Sequence, residues 1–295
     1  MVSSESLNGG FLLDCGVRVL DLSRRTHLMG ILNVTPDSFY DGGRYFDLKK
    51  GVERGVFMAE KGADIIDVGG ESTRPGADSI TPSEEIERVI PVIEELRKRV
   101  DVPISIDTRK SEVAEAAIEA GANIVNDISG LRHDPNMASL VARCGVPVVV
   151  MHIKGSPKNM QDNPVYQDLI GDIVQYLKQS IKLAINSGIA KDKIIIDPGI
   201  GFGKQRPDNF LILKELDVFK SLGYPLLVGV SRKSFIGWAL NLPEEERLMG
   251  TAAAVAACAL KGVHIVRVHD IEEMKHVVHI ADLIRTAEKE KDINK

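Results

Sequence analysis

From Thr26 onward, short runs that are apolar at nearly every position alternate with longer stretches in which apolar residues recur every three or four positions. The runs ADIIDV, VPVVVM, KIIIDP and YPLLVGV are rich in β-branched residues and show almost no polar face, as strands covered on both sides should. Strands of this kind alternating with helical stretches are the signature of repeated βα units and a parallel sheet. The pattern predicts strands at 27–33, 64–68, 103–107, 123–126, 146–151, 194–197, 225–230 and 264–268. It predicts helices near 47–62, 83–100, 110–121, 134–144, 165–188, 207–222, 244–262 and 271–290. Glycine ends three of them, in EKGADII, EAGANIV and LKGVHIV, which fits a left-handed cap. Ahead of the repeat, GGFLLDCGVRVLDL alternates on either side of Cys15–Gly16, which predicts a hairpin covering the N-terminal mouth of whatever the repeat builds.

Eight βα units in 295 residues favour a closed α/β (β/α)8 TIM barrel over a doubly wound sheet. The expected layout is one domain over 1–295, with the hairpin at about 11–23 and the barrel at about 26–290. Long loops follow the first and second strands, beyond the two to six residues such connections usually need. With 44% hydrophobic and 27% charged residues the composition is that of a soluble globular protein. A net charge of -5 argues against nucleic-acid or anionic-membrane partners, so positive charge for an anionic ligand must be local. Cys15, Cys144 and Cys258 form no CxxC pair, and no leader or apolar span of about 20 residues is visible, which predicts a cytoplasmic protein without a disulfide framework.

A barrel carries its chemistry at the C-terminal ends of its strands. Those ends read ILN(33)VTPDSF, DVGGEST(73)R(74)PG, SID(107)T, IVN(126)D, VVM(151)H, IID(197)PGIGFG, GVS(231)RK(233)S and VR(267)VH(269)D. Asp107 and Asp197 close otherwise apolar strands, where an unpaired carboxylate is costly, so they call for a donor-rich ligand, a metal or acid/base work. A guanidine-like heterocycle would offer Asp paired donors, Asn126 a neighbouring edge, and Lys233 an acceptor on the ring. Strand parity puts Ser231 and Lys233 on one face and Arg232 on the other, where its bland role is a structural salt bridge. Arg267 and His269 share a face at the last strand end, and Asp270 with Glu273 reads as a capping box opening a helix, together a phosphate site. Gly199, Gly201 and Gly203 lack the G-x-G-x-x-G form and read instead as backbone running close to a flat ligand, with Phe202 as an apolar wall. Met151–His152 reads as wall and support, and His276 with His279 as a solvated helix face. TPDSFYDGG carries Asp37 and Asp41, and GGESTRPGA carries Glu71, Thr73 and Arg74, so two long loops bring opposite charges and suggest lids.

Taken together and in order, MGILNVTPDSFYDGG, DVGGESTRPGA, SIDTRKSEV, NDISG, MHIKGSPKNMQ, DPGIGFGK, GVSRKSFIG and RVHD resemble the dihydropteroate synthase family over most of the chain, from about Met29 to the last helix. The resemblance implies a pterin-binding TIM barrel that condenses 6-hydroxymethyl-7,8-dihydropterin diphosphate with 4-aminobenzoate, with Mg2+, as a cytoplasmic homodimer. It implies pterin contacts at Asp107, Asn126, Met151, Asp197 and Lys233, and diphosphate contacts at Asn33, Arg74, Arg267 and His269. Aminobenzoate would lie against Thr73, Pro75, Phe202 and Ser231, and Asn33 would be the metal ligand. Asp41, Arg74, Lys233, Arg267 and His269 would be the catalytic set. Two rivals remain: a pterin-binding corrinoid-dependent methyltransferase, which has no need of the diphosphate residues, and a non-catalytic pterin-binding paralogue, which should have lost some of Arg74, Lys233, Arg267 or His269. A phosphosugar aldolase would use Lys233 for a Schiff base but leaves the paired aspartates unexplained.

Overall fold

The computed structural model describes residues 10–35 and 44–288, with side chains from 48 in the second span. A hairpin of β1 (Leu12–Asp14) and β2 (Val19–Asp21) pairs antiparallel, turning at Gly16. Then come β3 (His27–Asn33), α1 (Arg44–Lys61), β4 (Ile65–Gly69), α2 (Pro82–Arg97), β5 (Ile104–Asp107), α3 (Ser111–Glu119), β6 (Ile124–Asp127), α4 (Met137–Cys144) and β7 (Val148–Met151). The second half runs α5 (Leu169–Asn186), β8 (Ile194–Asp197), α6 (Arg206–Lys214), α7 (Leu216–Lys220), β9 (Leu227–Gly229), α8 (Ser234–Leu240), α9 (Leu248–Leu260), β10 (Ile265–Val268) and α10 (Ile271–Thr286).

The eight long-range strands pair in parallel in the order β8-β7-β6-β5-β4-β3-β10-β9, and a parallel bridge between Ile196 and Leu226 joins the two ends. This is the (β/α)8 barrel that the hydrophobic pattern predicts, closed so that no strand edge is left unpaired. The hairpin does cover the N-terminal mouth: Leu13, Leu20 and Leu22 pack on Met29, Ile65, Ile124, Val149, Ile195, Leu227 and Ile265. Residues facing outward from the strands form a second core beneath the helices.

Several helices differ from the sequence pattern; the one expected from 244 begins only at Leu248, after a separate turn at Glu244–Glu246. The stretch 207–222 is two helices, broken where Glu215 leaves helical geometry (φ -100°, ψ 23°). Helix α5 starts later than the periodicity suggests, at Leu169, because the Asp168 carboxylate caps it by accepting the Gly171 N–H. Helix α8, seven residues long, is absent from the periodic pattern because it is too short to repeat. Its Gly237 leaves room for Arg247, whose Nε would lie 2.3 Å from a Cβ there. The loop after β4 spans 70–81 and ends in a Thr81–Glu84 capping box; most of the loop after β3, with Asp37 and Asp41, lies outside the described residues.

Candidate active site

Inward-facing residues alternate along each strand, so Ile65, Ile124, Val149, Ile195, Leu227 and Ile265 on the barrel floor are followed two positions later by Asp67, Asn126, Met151, Asp197, Gly229 and Arg267. Above this level the barrel opens into a cavity of about 400 Å³. Asn33, Asp107, Asn126, Met151, Asp197 and Arg267 line it from the strands. Thr73, Arg74, Pro75, Phe202, Ser231, Lys233 and His269 line it from the loops. The residues assigned to the pterin, the diphosphate and the arylamine therefore meet in one space; Asp37 and Asp41 lie outside the described residues, and Glu71, expected to bring charge on a lid, is instead held by Arg109 and Lys110 away from the cavity. A larger depression of about 900 Å³ lies at the opposite end of the barrel, but its Arg25 is bound two-pronged to Asp64 and its Arg24 to Asp21. The smaller cavity is where buried groups converge without full partners.

The Arg267 guanidinium donates from Nε to Asp67 (2.6 Å) and from Nη2 to Asp107 (2.7 Å), and the Asn126 amide donates to the same Asp67 oxygen (2.9 Å). Asp67 was not among the sequence candidates, although it shares the inward face of its strand with Ile65; it sits below the strand end, inside β4. One oxygen each of Asp67 and Asp107 is buried with no hydrogen-bond partner. An uncompensated buried acceptor is costly, and this one borders a cavity, so it is set to receive a ligand donor.

Burial pushes the Asp107 carboxyl up to about 7, with Arg267 pulling it back and Asp67 adding to the rise. Asp197 goes up to about 6 for the same first reason, although its Oδ1 accepts the Gly199 N–H at 2.7 Å. Lys233 is lowered to about 8 by burial and then by Arg267, and its ammonium stands 4.2 Å over the Phe202 ring. His269 is held down to about 4 by burial and Arg267, so the free site carries a neutral imidazole. Its Nδ1 lies 2.9 Å from Ser231 Oγ, which also accepts the His269 backbone N–H; with the hydroxyl donating to Nδ1, the ring carries its proton on Nε2.

Two details of the sequence reading change. Residues 231–233 lie beyond β9 in a turn where Arg232 has φ 55°, so strand parity is not what separates Arg232 from Lys233. Arg232 is nonetheless a structural ion pair, two-pronged to Asp270 at 2.9 and 2.7 Å, and this takes up the carboxylate expected to cap α10, which has no side-chain cap. Arg74 is exposed and reaches Glu244 at 3.1 Å, tying the loop after β4 to the turn before α9.

The model of the pterin binding enzyme family matches residues 29–269. Dihydropteroate synthase of Synechocystis sp. is 46% identical over 273 residues, covering 92% of this chain and 94% of that protein. Among solved structures, Xanthomonas albilineans dihydropteroate synthase with 4-aminobenzoic acid is 41% identical with a TM-score of 0.89, covering 95% of this chain and all of that one. The same enzyme in complex with 7,8-dihydropteroate matches with a TM-score of 0.85 at 38% identity, covering 94% of this chain and 100% of that one. The chain belongs to the pterin-binding enzymes, and within them to the dihydropteroate synthase family.

Proposed function

We propose that the cavity performs the family's condensation, joining 6-hydroxymethyl-7,8-dihydropterin diphosphate to 4-aminobenzoate with release of diphosphate, through the residues gathered here. The observation that carries this assignment of roles is the unpartnered, buried Asp107 oxygen beside Arg267, at the base of a cavity ringed by cations. Asp107 and Asp197 accept donors of the pterin, Asn126 meets its neighbouring edge, Lys233 donates to a ring acceptor and Met151 forms the apolar wall. Arg267, His269 Nε2–H, Arg74 and Asn33 face the diphosphate. Thr73, Pro75, Phe202 and Ser231 form the side against which the arylamine lies, although the Ser231 hydroxyl is already engaged with His269.

The C–O bond to diphosphate breaks as the ring nitrogens stabilise the cation left on the pterin methylene. The arylamine nitrogen supplies its lone pair to that carbon and then loses a proton to solvent, so no residue is required as a dedicated base. Ionised Asp107 and Asp197 favour the cationic pterin, and preorganised Arg267 and His269 favour the leaving charge. Among the described residues no three His, Cys, Asp or Glu side chains cluster as metal ligands. The Asn33 side chain, at the cavity mouth, is the protein ligand available to Mg2+; a sparse set fits an ion that keeps its waters and binds substrate phosphates, and when bound it supplies positive charge against the diphosphate.

Two further readings go with this one. Exposed Met249 and Leu260 on α9 with Ile280, Leu283 and Ile284 on α10 favour a homodimer, and three free cysteines favour a reducing, cytoplasmic setting. The deciding experiment incubates the protein with both substrates and follows diphosphate and dihydropteroate. Product that depends on Mg2+ and falls about a hundredfold in Lys233→Ala is expected. Pterin binding without turnover would reject the reading in favour of a non-catalytic binder.

A further inference from the structure

The loop after β8 is held from behind by a lysine outside the cavity. Lys204 is 2% exposed, and its side chain folds back into its own loop. The amino group lies 2.7 Å from the Gly199 carbonyl oxygen, 3.0 Å from that of Phe202 and 2.7 Å from His152 Nδ1, with the His152 carbonyl at 3.3 Å. Four acceptors thus surround one donor group. Burial drives the His152 imidazolium down to about 2, so this ring is neutral and its Nδ1 accepts. Burial likewise pulls Lys204 well below an ordinary lysine, with Asp197 opposing the shift.

The backbone makes the arrangement possible. Gly199, Gly201 and Gly203 take φ of 70°, 81° and 64°. A Cβ on Gly199 would stand 1.9 Å from the His152 oxygen, and one on Gly203 2.4 Å from that of Lys154, so the loop lies directly on the segment after β7. On its other side the loop presents Phe202, which packs with Ile128, Met151, Ile153 and Met160 and carries Lys233 above its ring.

We propose that Lys204 is a positioning residue for the arylamine half of the site: by gripping the carbonyls of Gly199 and Phe202 against His152, its amino group sets where the Phe202 ring stands. The proposal rests on Phe202 being the wall for the arylamine. The pterin half is built from the strand residues Asp107, Asn126, Met151 and Asp197 with Lys233 from the turn after β9, and none of these accepts from the Lys204 amino group, whose partners are His152, Gly199 and Phe202.

Lys204→Met keeps the length of the side chain and removes its donors. In the ligand-free protein, amide hydrogen exchange over 199–204 should speed up about tenfold with the remaining helices and strands unchanged. The KM for 4-aminobenzoate should rise about tenfold, while kcat and the dissociation constant of the pterin diphosphate stay within about threefold. Lys204→Gln, which keeps an N–H donor, should fall between. Unchanged exchange, or equal losses for both substrates, would overturn the proposal. Loss of the fold in both variants would overturn it too, because Lys204 would then support the whole barrel rather than one loop. Faster exchange over 199–204 in a chain whose unmutated form shows no turnover would leave the clasp standing and reject the catalytic reading instead.

Discussion

Ile195 and Asp197 lie two residues apart on β8 and face the same barrel interior, yet they belong to different worlds. Ile195 is fully buried against the hairpin and the other floor residues, with nothing to satisfy but packing. Asp197 is almost as buried, but holds one backbone N–H and otherwise faces a cavity. The contrast repeats around the barrel: Ile65 against Asp67, Ile124 against Asn126, Ile265 against Arg267. One layer contributes stability by excluding water, and the next gives some of it up by burying ionisable groups for a ligand.

Substitutions in the two layers should separate cleanly. The largest effect is expected at the floor, where Ile195→Ala should lower stability by about 2–5 kcal/mol, read from the denaturant midpoint, with activity per folded molecule retained. A comparable loss of activity would mean the floor also sets the geometry above it. Next comes Arg267→Lys, which keeps the charge but not the fork that joins Asp67 to Asp107; kcat/KM should fall about a hundredfold with a much smaller shift of the midpoint. A midpoint shift as large as that of Ile195→Ala would show that the fork belongs to the scaffold.

The smallest effect has the opposite sign. Because the folded Asp197 carboxyl titrates near 6, above its ordinary 3.8, the folded state holds its proton more tightly than the unfolded chain. The stability linked to that proton is complete below pH about 4 and is lost as the pH rises through 6. Asp197→Asn should therefore stabilise the protein by about 2 kcal/mol at pH 7.5, with the gain fading by pH about 4, while pterin affinity drops. Thermal unfolding across that range checks it, and a variant less stable at pH 7.5 would show the carboxylate to be a net support of the barrel.

Much of this was legible in the chain. Near-continuous apolar runs marked each barrel strand, and polar residues at one end of them marked the face of the cavity. Asp67 escaped because it lies inside β4, where the only clue is that it shares parity with Ile65. Its meaning comes from Arg267, 200 positions away, and that of Asp107 from the same guanidinium, 160 positions away. Lys204 escaped for a similar reason: in DPGIGFGK it looks like a solvated end to a glycine loop, and only the carbonyls of Gly199, Phe202 and His152 and the His152 ring, brought around it by the fold, bury it.

Alternating burial and helical periodicity are local properties, set by backbone geometry within a few residues, so the amino-acid order by itself determined the eight βα units, the plugging hairpin and the polar strand ends. Which charge meets which depends on closing the barrel, since closure places β10 beside β3 and draws β4 and β5 within reach of Arg267. Desolvation and ion pairing act through space rather than along the chain, and for that reason the different partners of Asp107 and Asp197, Arg267 for one and the Gly199 N–H for the other, the role of Arg232 and the grip of Lys204 were decided only by the tertiary structure.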